Sequence, residues 1–167
     1  MMSVSAIKAL VDKRDAEAET SQAPRLSTDF LNRYSEALML IELASDDDDV
    51  IEDLRAWRGV TYREHFETSP LRCAASALLA YDSVMPARRA GFEELCKAMI
   101  RLVSTATALL AEKHEGLDAA TIADVAGEAL RRQIGRATQF INANGRIDIG
   151  SIESRTLQAE VDALLAR

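Results

Sequence analysis

The apolar residues of this chain recur every three or four positions, in successive blocks separated by turn formers. Phe30, Leu31, Tyr34, Leu38 and Ile41 form the first row, which is the spacing of one helix face. Ser27, Thr28 or Asp29 would cap its start. Val50, Ile51, Leu54 and Trp57 form a second row, which predicts a helix over 46–57 with Gly59 as its stop. The connector VTYREHFET has room for one or two helical turns. Ser69-Pro70 is a strong start signal, because Pro suits the first helical position. It opens a charge-poor stretch whose stripe is Leu71, Ala74, Ala75, Leu78, Tyr81 and Met85. That helix is expected at the centre of the fold and ends at Pro86.

The longest row runs Phe92, Leu95, Cys96, Met99, Leu102, Val103, Ala106, Leu109, Leu110. It predicts a helix over 87–115, with Lys113 and His114 in the last turn and Gly116 after it. Asp118 opens another, carrying Ile122, Val125, Ala126, Ala129, Leu130, Ile134, Ala137, Phe140 and Ile141, and Asn144-Gly145 stops it. Gly127 and Gly135 inside this helix each cost ~1 kcal/mol against Ala, which points to close approach of a neighbour. The expected fold is therefore all-α: a single helical bundle of about five main helices over 26–145. Residues 1–25 read as an N-terminal arm with one weak stripe, Ile7, Leu10 and Val11. Residues 146–167 read as a short extended connector and an amphipathic C-terminal helix carrying Leu157, Val161, Leu164 and Leu165.

Composition supports the helical reading. The 167 residues are 5% aromatic, with 7 Gly and 3 Pro, and are rich in Ala and Leu, which favour helix over strand. The net charge of −7 is local. Residues 42–53 hold seven acids and no base, while the other 155 residues carry 20 acids and 20 bases. A nucleic-acid surface calls for a basic excess, so a protein partner or a second copy is expected ahead of nucleic acid. Asp46, Asp47, Asp48 and Asp49 start a helix on this reading, with Ser45 or Asp46 as cap. Carboxylates are favoured there by the helix dipole. Four exceed what capping requires, and the surplus is a candidate contact surface for a basic partner.

Cys73 and Cys96 stand 23 residues apart and form no zinc or disulfide pattern. Both are expected as small buried hydrophobes. No apolar run reaches the ~18 residues of a membrane helix, and none at the N-terminus has the length of a signal peptide. A cytoplasmic protein of bacterial type is expected, with no membrane partner.

No motif specifies a reaction. The acidic run lacks the alternating ligands and turn Gly of a calcium loop. Tyr62 and Ala111 stand where a di-iron Glu-x-x-His would place its Glu. HExxH, GxxxxGK[ST] and GxGxxG are missing. No cofactor or metal is expected. His65 is the histidine in a polar, aromatic setting, with Arg58, Tyr62, Arg63 and Glu64 nearby in sequence. Phosphotransfer domains follow their His with Lys one turn later, whereas here Phe66, Glu67, Thr68, Ser69 and Pro70 follow. The spacing Arg58-x6-His65 is similar to that of HEPN-type ribonucleases, a similarity that would imply an Arg–His nuclease centre. Gly59, Val60 and Thr61 interrupt the helix such a motif needs, and the polar residue usual after the Arg is Gly59. The chain is assigned to neither family.

Three functions follow as expectations. The first is a non-catalytic interaction or regulatory protein, able to form a homodimer. The second is a small hydrolase or ribonuclease using Arg58 and His65. The third is a small-molecule sensor with a pocket near Tyr34, Tyr62 and Tyr81.

Overall fold

A computed structural model describes residues 3–10, 23–112 and 116–150. A 3-10 turn, Thr28–Leu31, runs into α1, Asn32–Leu43. Then come α2 (Asp48–Ala56), α3 (Tyr62–Glu67), α4 (Ala74–Ser83), α5 (Pro86–Ala111) and α6 (Ala119–Asn142). No β-strand occurs among the described residues, and the fold is all-α. The expected main helices correspond to α1, α2, α4, α5 and α6, and α3 is the short helix allowed for in the connector. A further helical segment covers 4–10 in the arm.

The long helices α5 and α6 pack along each other, and α1 lies on α6. Their buried faces are the predicted rows, including Phe92, Leu95, Met99 and Val103 on α5 and Ala126, Leu130 and Phe140 on α6. Every aromatic side chain of the protein belongs to one cluster. Phe30 sits near its middle, with ring centres of Tyr34, Tyr62, His65 and Phe92 at 5.3–6.2 Å. Phe92 stacks on Phe140 at 4.8 Å. Aromatic pairs at such spacings add to their area burial, so few rings join five helices and the 3-10 turn.

The caps follow from side chains that satisfy free amides. Ser27 accepts from Asp29 N, Thr61 from Glu64 N and Asp118 from Thr121 N. Asn144 and Gly145, with φ of 53° and 73°, close α6. A side chain at Gly145 would also strike Val84, since a Cβ there comes within 2.6 Å of Val84 Cγ2. The body starts at the incoming chain: Leu26 N donates to Asn144 Oδ1 at 2.8 Å, and Asn144 Nδ2 donates to Pro24 O.

Several expectations give way. Ser69-Pro70 opens a turn, in which Leu71 N donates to Ser69 Oγ at 3.2 Å, and the helix begins only at Ala74. The helix is not central. It packs mainly on α3 and leaves Leu79 58% exposed, with Leu71 before it at 43% and Met85 beyond it at 57%. Cys73, expected buried, is exposed, while Cys96 is buried. The long helix ends at Ala111, and the reading of His114 falls on residues 113–115, outside the described residues. The predicted C-terminal helix, over 151–167, also lies outside them. Asp47, not Ser45 or Asp46, caps α2 by accepting from Asp49 N at 2.9 Å. Gly59 stops nothing, because α2 ends at Ala56 with Trp57 as its cap. It is small because a Cβ would lie 2.5 Å from Ile100. Gly135 meets no neighbour within 4 Å, and a Cβ at Gly127 would make ordinary contact with Leu38 at 3.6 Å. Neither glycine is required by close approach.

Candidate functional site

Arg58 and His65 are held by different neighbours. The Arg58 guanidinium folds back and donates to the carbonyls of Arg55 and Trp57. It satisfies acceptors at the end of α2, where a cation is favoured by the dipole. The Arg58 carbonyl accepts from Arg33, and the Trp57 indole N–H donates to Arg33 O at 3.0 Å. This corner ties the α2 exit to α1. His65 lies on α3, with Nε2 2.8 Å from Asp29 Oδ2. A carboxylate accepts, so Nε2 carries the hydrogen in that pair. The His65 ring meets the edges of Phe30 and Phe66 at 5.7 and 4.8 Å. The side chain is 18% exposed. Asp29, the partner that positions His65, was not singled out in the sequence, where it reads only as a helix-start residue.

Arg58 lines a cleft of about 610 Å³ between the α2 exit and α5, with Trp57, Gly59, Ile100, Ser104 and Thr107 among its walls. His65 is not among them. The cleft exists because α5 presents small side chains opposite Trp57. Those residues carried no functional signal in sequence, where Ser104, Thr107 and Ala108 stand outside the apolar row of their helix.

The three tyrosines of the expected sensor pocket are core residues. Tyr34, Tyr62 and Tyr81 are at most 3% exposed. Burial pushes the Tyr62 phenol up to about 12, although its hydroxyl oxygen accepts from Ser27 N at 3.1 Å. Burial raises Tyr81 further, and its bond to Glu93 adds to the rise. Tyr34 is raised by burial too, and its hydroxyl has no hydrogen-bond partner. Burial likewise lifts the Cys96 thiol to about 12.

Asp46, Asp47, Asp48 and Asp49 are all exposed at the α1–α2 corner. Asp48 and Asp49 occupy the first turn of α2, and Arg55 its last. Glu42, at the end of α1, pairs with Arg131 of α6. Among the described residues, no three His, Cys, Asp or Glu side chains converge where a metal could be held. No helix of the described residues is long and apolar enough to cross a membrane.

A second cleft, of about 780 Å³, opens between the incoming chain and α4. Pro24, Leu26, Cys73, Ala75, Ser76 and Leu79 line it. Ala75 and Leu79 are one turn apart on α4, on the side away from the buried Ala77 and Tyr81. The two-sided apolar pattern of this helix was legible in the sequence, where it was read as burial on several sides.

No protein-family model, curated protein or solved structure matches this chain. The molecule is therefore defined by its own geometry, as an all-α bundle with one cleft at Arg58 and another at α4.

Proposed function

We propose that this chain is a non-catalytic interaction protein of bacterial type, working in the cytoplasm through the outer face of α4. The observation that carries the reading is the set of large apolar side chains left exposed around α4 and on the arm, beside the exposed Met39 and Leu43 of α1 and Ile147. Leu71, Leu79 and Met85 flank or sit on α4, and Val4, Ile7 and Leu10 sit on the arm helix 4–10. Scattered exposed leucines are ordinary, but Leu79 stands on the lining of the α4 cleft, where an exposed apolar side chain can serve a contact surface. The chemistry-bearing candidates, meanwhile, have structural partners: His65 has Asp29, and Arg58 has two carbonyls. The acidic α1–α2 corner would speed encounter with a basic partner without fixing its pose.

The test is a photo-reactive residue placed at Leu79 in cells, with Asp124 on the exposed face of α6 as the control position. A defined protein adduct, either self or foreign, is expected at position 79 and not at 124. Equal labelling at both positions, or none at 79, refutes the reading. A parallel assay of single-stranded RNA cleavage addresses Arg58 and His65. Cleavage by the wild type that vanishes in both Arg58→Ala and His65→Ala, with the fold intact, would establish a nuclease instead.

A further inference from the structure

The α4 cleft and the arm helix are two open apolar surfaces on one chain. In the arm, Val4 is 85% exposed, Ile7 50% and Leu10 49%. Spaced three apart, they form one row along the helix 4–10. At the cleft, Leu79 and the exposed Ala75 and Cys73 offer a groove walled on its other side by Pro24 and Leu26. The row and the groove are complementary in kind, and within one chain each leaves the other uncovered.

We propose that the arm helix of one copy seats in the α4 cleft of a second copy, and that the exchange is reciprocal. This rests on the reading of α4 as a contact face, and it names the partner. Two observations favour a second copy. The first is that the arm of the single chain leaves its apolar row in solvent, so the protein's own body does not fill that need. The second is where the arm rejoins the body. Residue 23 is itself part of the cleft wall, along with Pro24 and Arg25. Around a two-fold axis beside the cleft, each arm therefore starts next to its partner's groove. The twelve residues 11–22 span at most ~40 Å when extended, which is ample to cross such an axis.

The symmetry closes, since each copy gives its arm and receives its partner's. A heterologous contact without that closure would form open chains. Each arm brings three large apolar side chains, so the interface falls at the small, transient end of the size range. The dimer is thus concentration-dependent.

Cys73 makes the proposal directly testable, because it lines the cleft and is exposed, while Cys96 is buried. Ala6→Cys places a thiol beside the apolar row without removing any of it. Mild oxidation with copper phenanthroline should give a disulfide-linked dimer on a non-reducing gel, with Cys73 mapped to the new cysteine by peptide mass. Ala6→Cys combined with Cys73→Ser should give none. Light scattering of the wild type should rise from 18.3 kDa toward twice that value with concentration. Leu79→Asp, checked for an unchanged circular dichroism spectrum, should stay at the monomer mass.

A disulfide formed within one chain would show the arm seated on its own body and overturn the exchange. So would a monomer mass at every concentration together with no cross-link. If that result coincides with a foreign adduct at position 79, only the identity of the partner fails. If position 79 captures nothing, the α4 reading fails with it.

Discussion

Tyr81 donates its hydroxyl hydrogen to Glu93 Oε1 at 2.6 Å, joining α4 to the first half of α5. The Arg63 and Arg89 guanidiniums lie 5.6 and 5.9 Å from the same ring, and Arg63 also pairs with Asp82. Tyr81 thus anchors the peripheral helix to the bundle through its rim as well as its ring. Removing the hydroxyl in Tyr81→Phe leaves the packing and deletes a charge-assisted bond worth about 1–2 kcal/mol at a partly exposed carboxylate. Urea denaturation should show that loss with the slope unchanged. An equal stability would mean the bond is exchanged for water at no cost.

A Cβ at Gly59 would lie 2.5 Å from the Ile100 side chain, which must then shift. Gly59→Ala should lower stability by about 1–2 kcal/mol, because Ile100 must leave its rotamer or the chain must shift. In an Ile100→Ala background the same change should cost nothing, and the double-mutant cycle reads that coupling. Gly91 and Gly135 lie inside α5 and α6 with no neighbour within 4 Å. Gly91→Ala and Gly135→Ala should each raise stability by ~0.5–1 kcal/mol through helix propensity alone. A loss at Gly135 would mean that something outside this chain uses the gap.

The rows on α5 and α6 were legible because those helices bury one face along their whole length, so period and burial coincide. The outer side of α4, where Leu79 stands, was expected buried for the converse reason. Its helix is apolar on two sides, and periodicity cannot tell a second buried side from an open one. Ser69-Pro70 gave a correct local signal for a chain reversal and a wrong one for a helix, since a Ser–Pro turn satisfies the same dihedral preference. Asp47 capped in place of Ser45 or Asp46 because a run of good caps leaves the choice to the geometry of the preceding turn. The contacts of the candidate site were not legible. Asp29 reaches His65 across 36 positions, and the cleft wall opposite Trp57 lies on another helix. Both exist only after the helices pack.

Tyr34 is the one phenol among the three whose buried hydroxyl lacks a partner. Burying such a group costs more than its removal. Tyr34→Phe should therefore raise stability by about 1 kcal/mol, where the same change at Tyr81 lowers it. Thermal or urea melts of the two variants side by side read the contrast. A loss at Tyr34→Phe would reveal an internal water or a movable partner satisfying the hydroxyl.

The two thiols should separate cleanly. Burial, with the charge of Glu93 adding to it, holds Cys96 protonated up to about 12, and the thiolate is the reacting species. Cys73 is exposed. At pH 8 a disulfide reagent should titrate one thiol in the native protein and two in denaturant. Cys73→Ser should abolish the native reaction. A slow second thiol in the native protein would report opening of α5 and not reactivity of the packed state.

Alkali should unfold this protein, and the sign follows from the phenols. Tyr62 rises from an ordinary value of 10.0 to about 12 on folding, chiefly through burial, and Tyr81 and Tyr34 rise further. Between these values the native state holds a proton that the unfolded chain has released. The native state therefore binds more protons, and stability falls as pH increases. The contribution is complete below pH 10 and is lost as pH rises through 12, by up to ~1.4 kcal/mol per unit for each phenol. Cys96 acts in the same direction from its ordinary value of 9.0. Tyrosinate absorbance near 295 nm and helical circular dichroism, followed together from pH 8 to 12.5, should change as one transition. Phenol titration near pH 10 with the helix signal intact would show that the aromatic cluster is open to solvent.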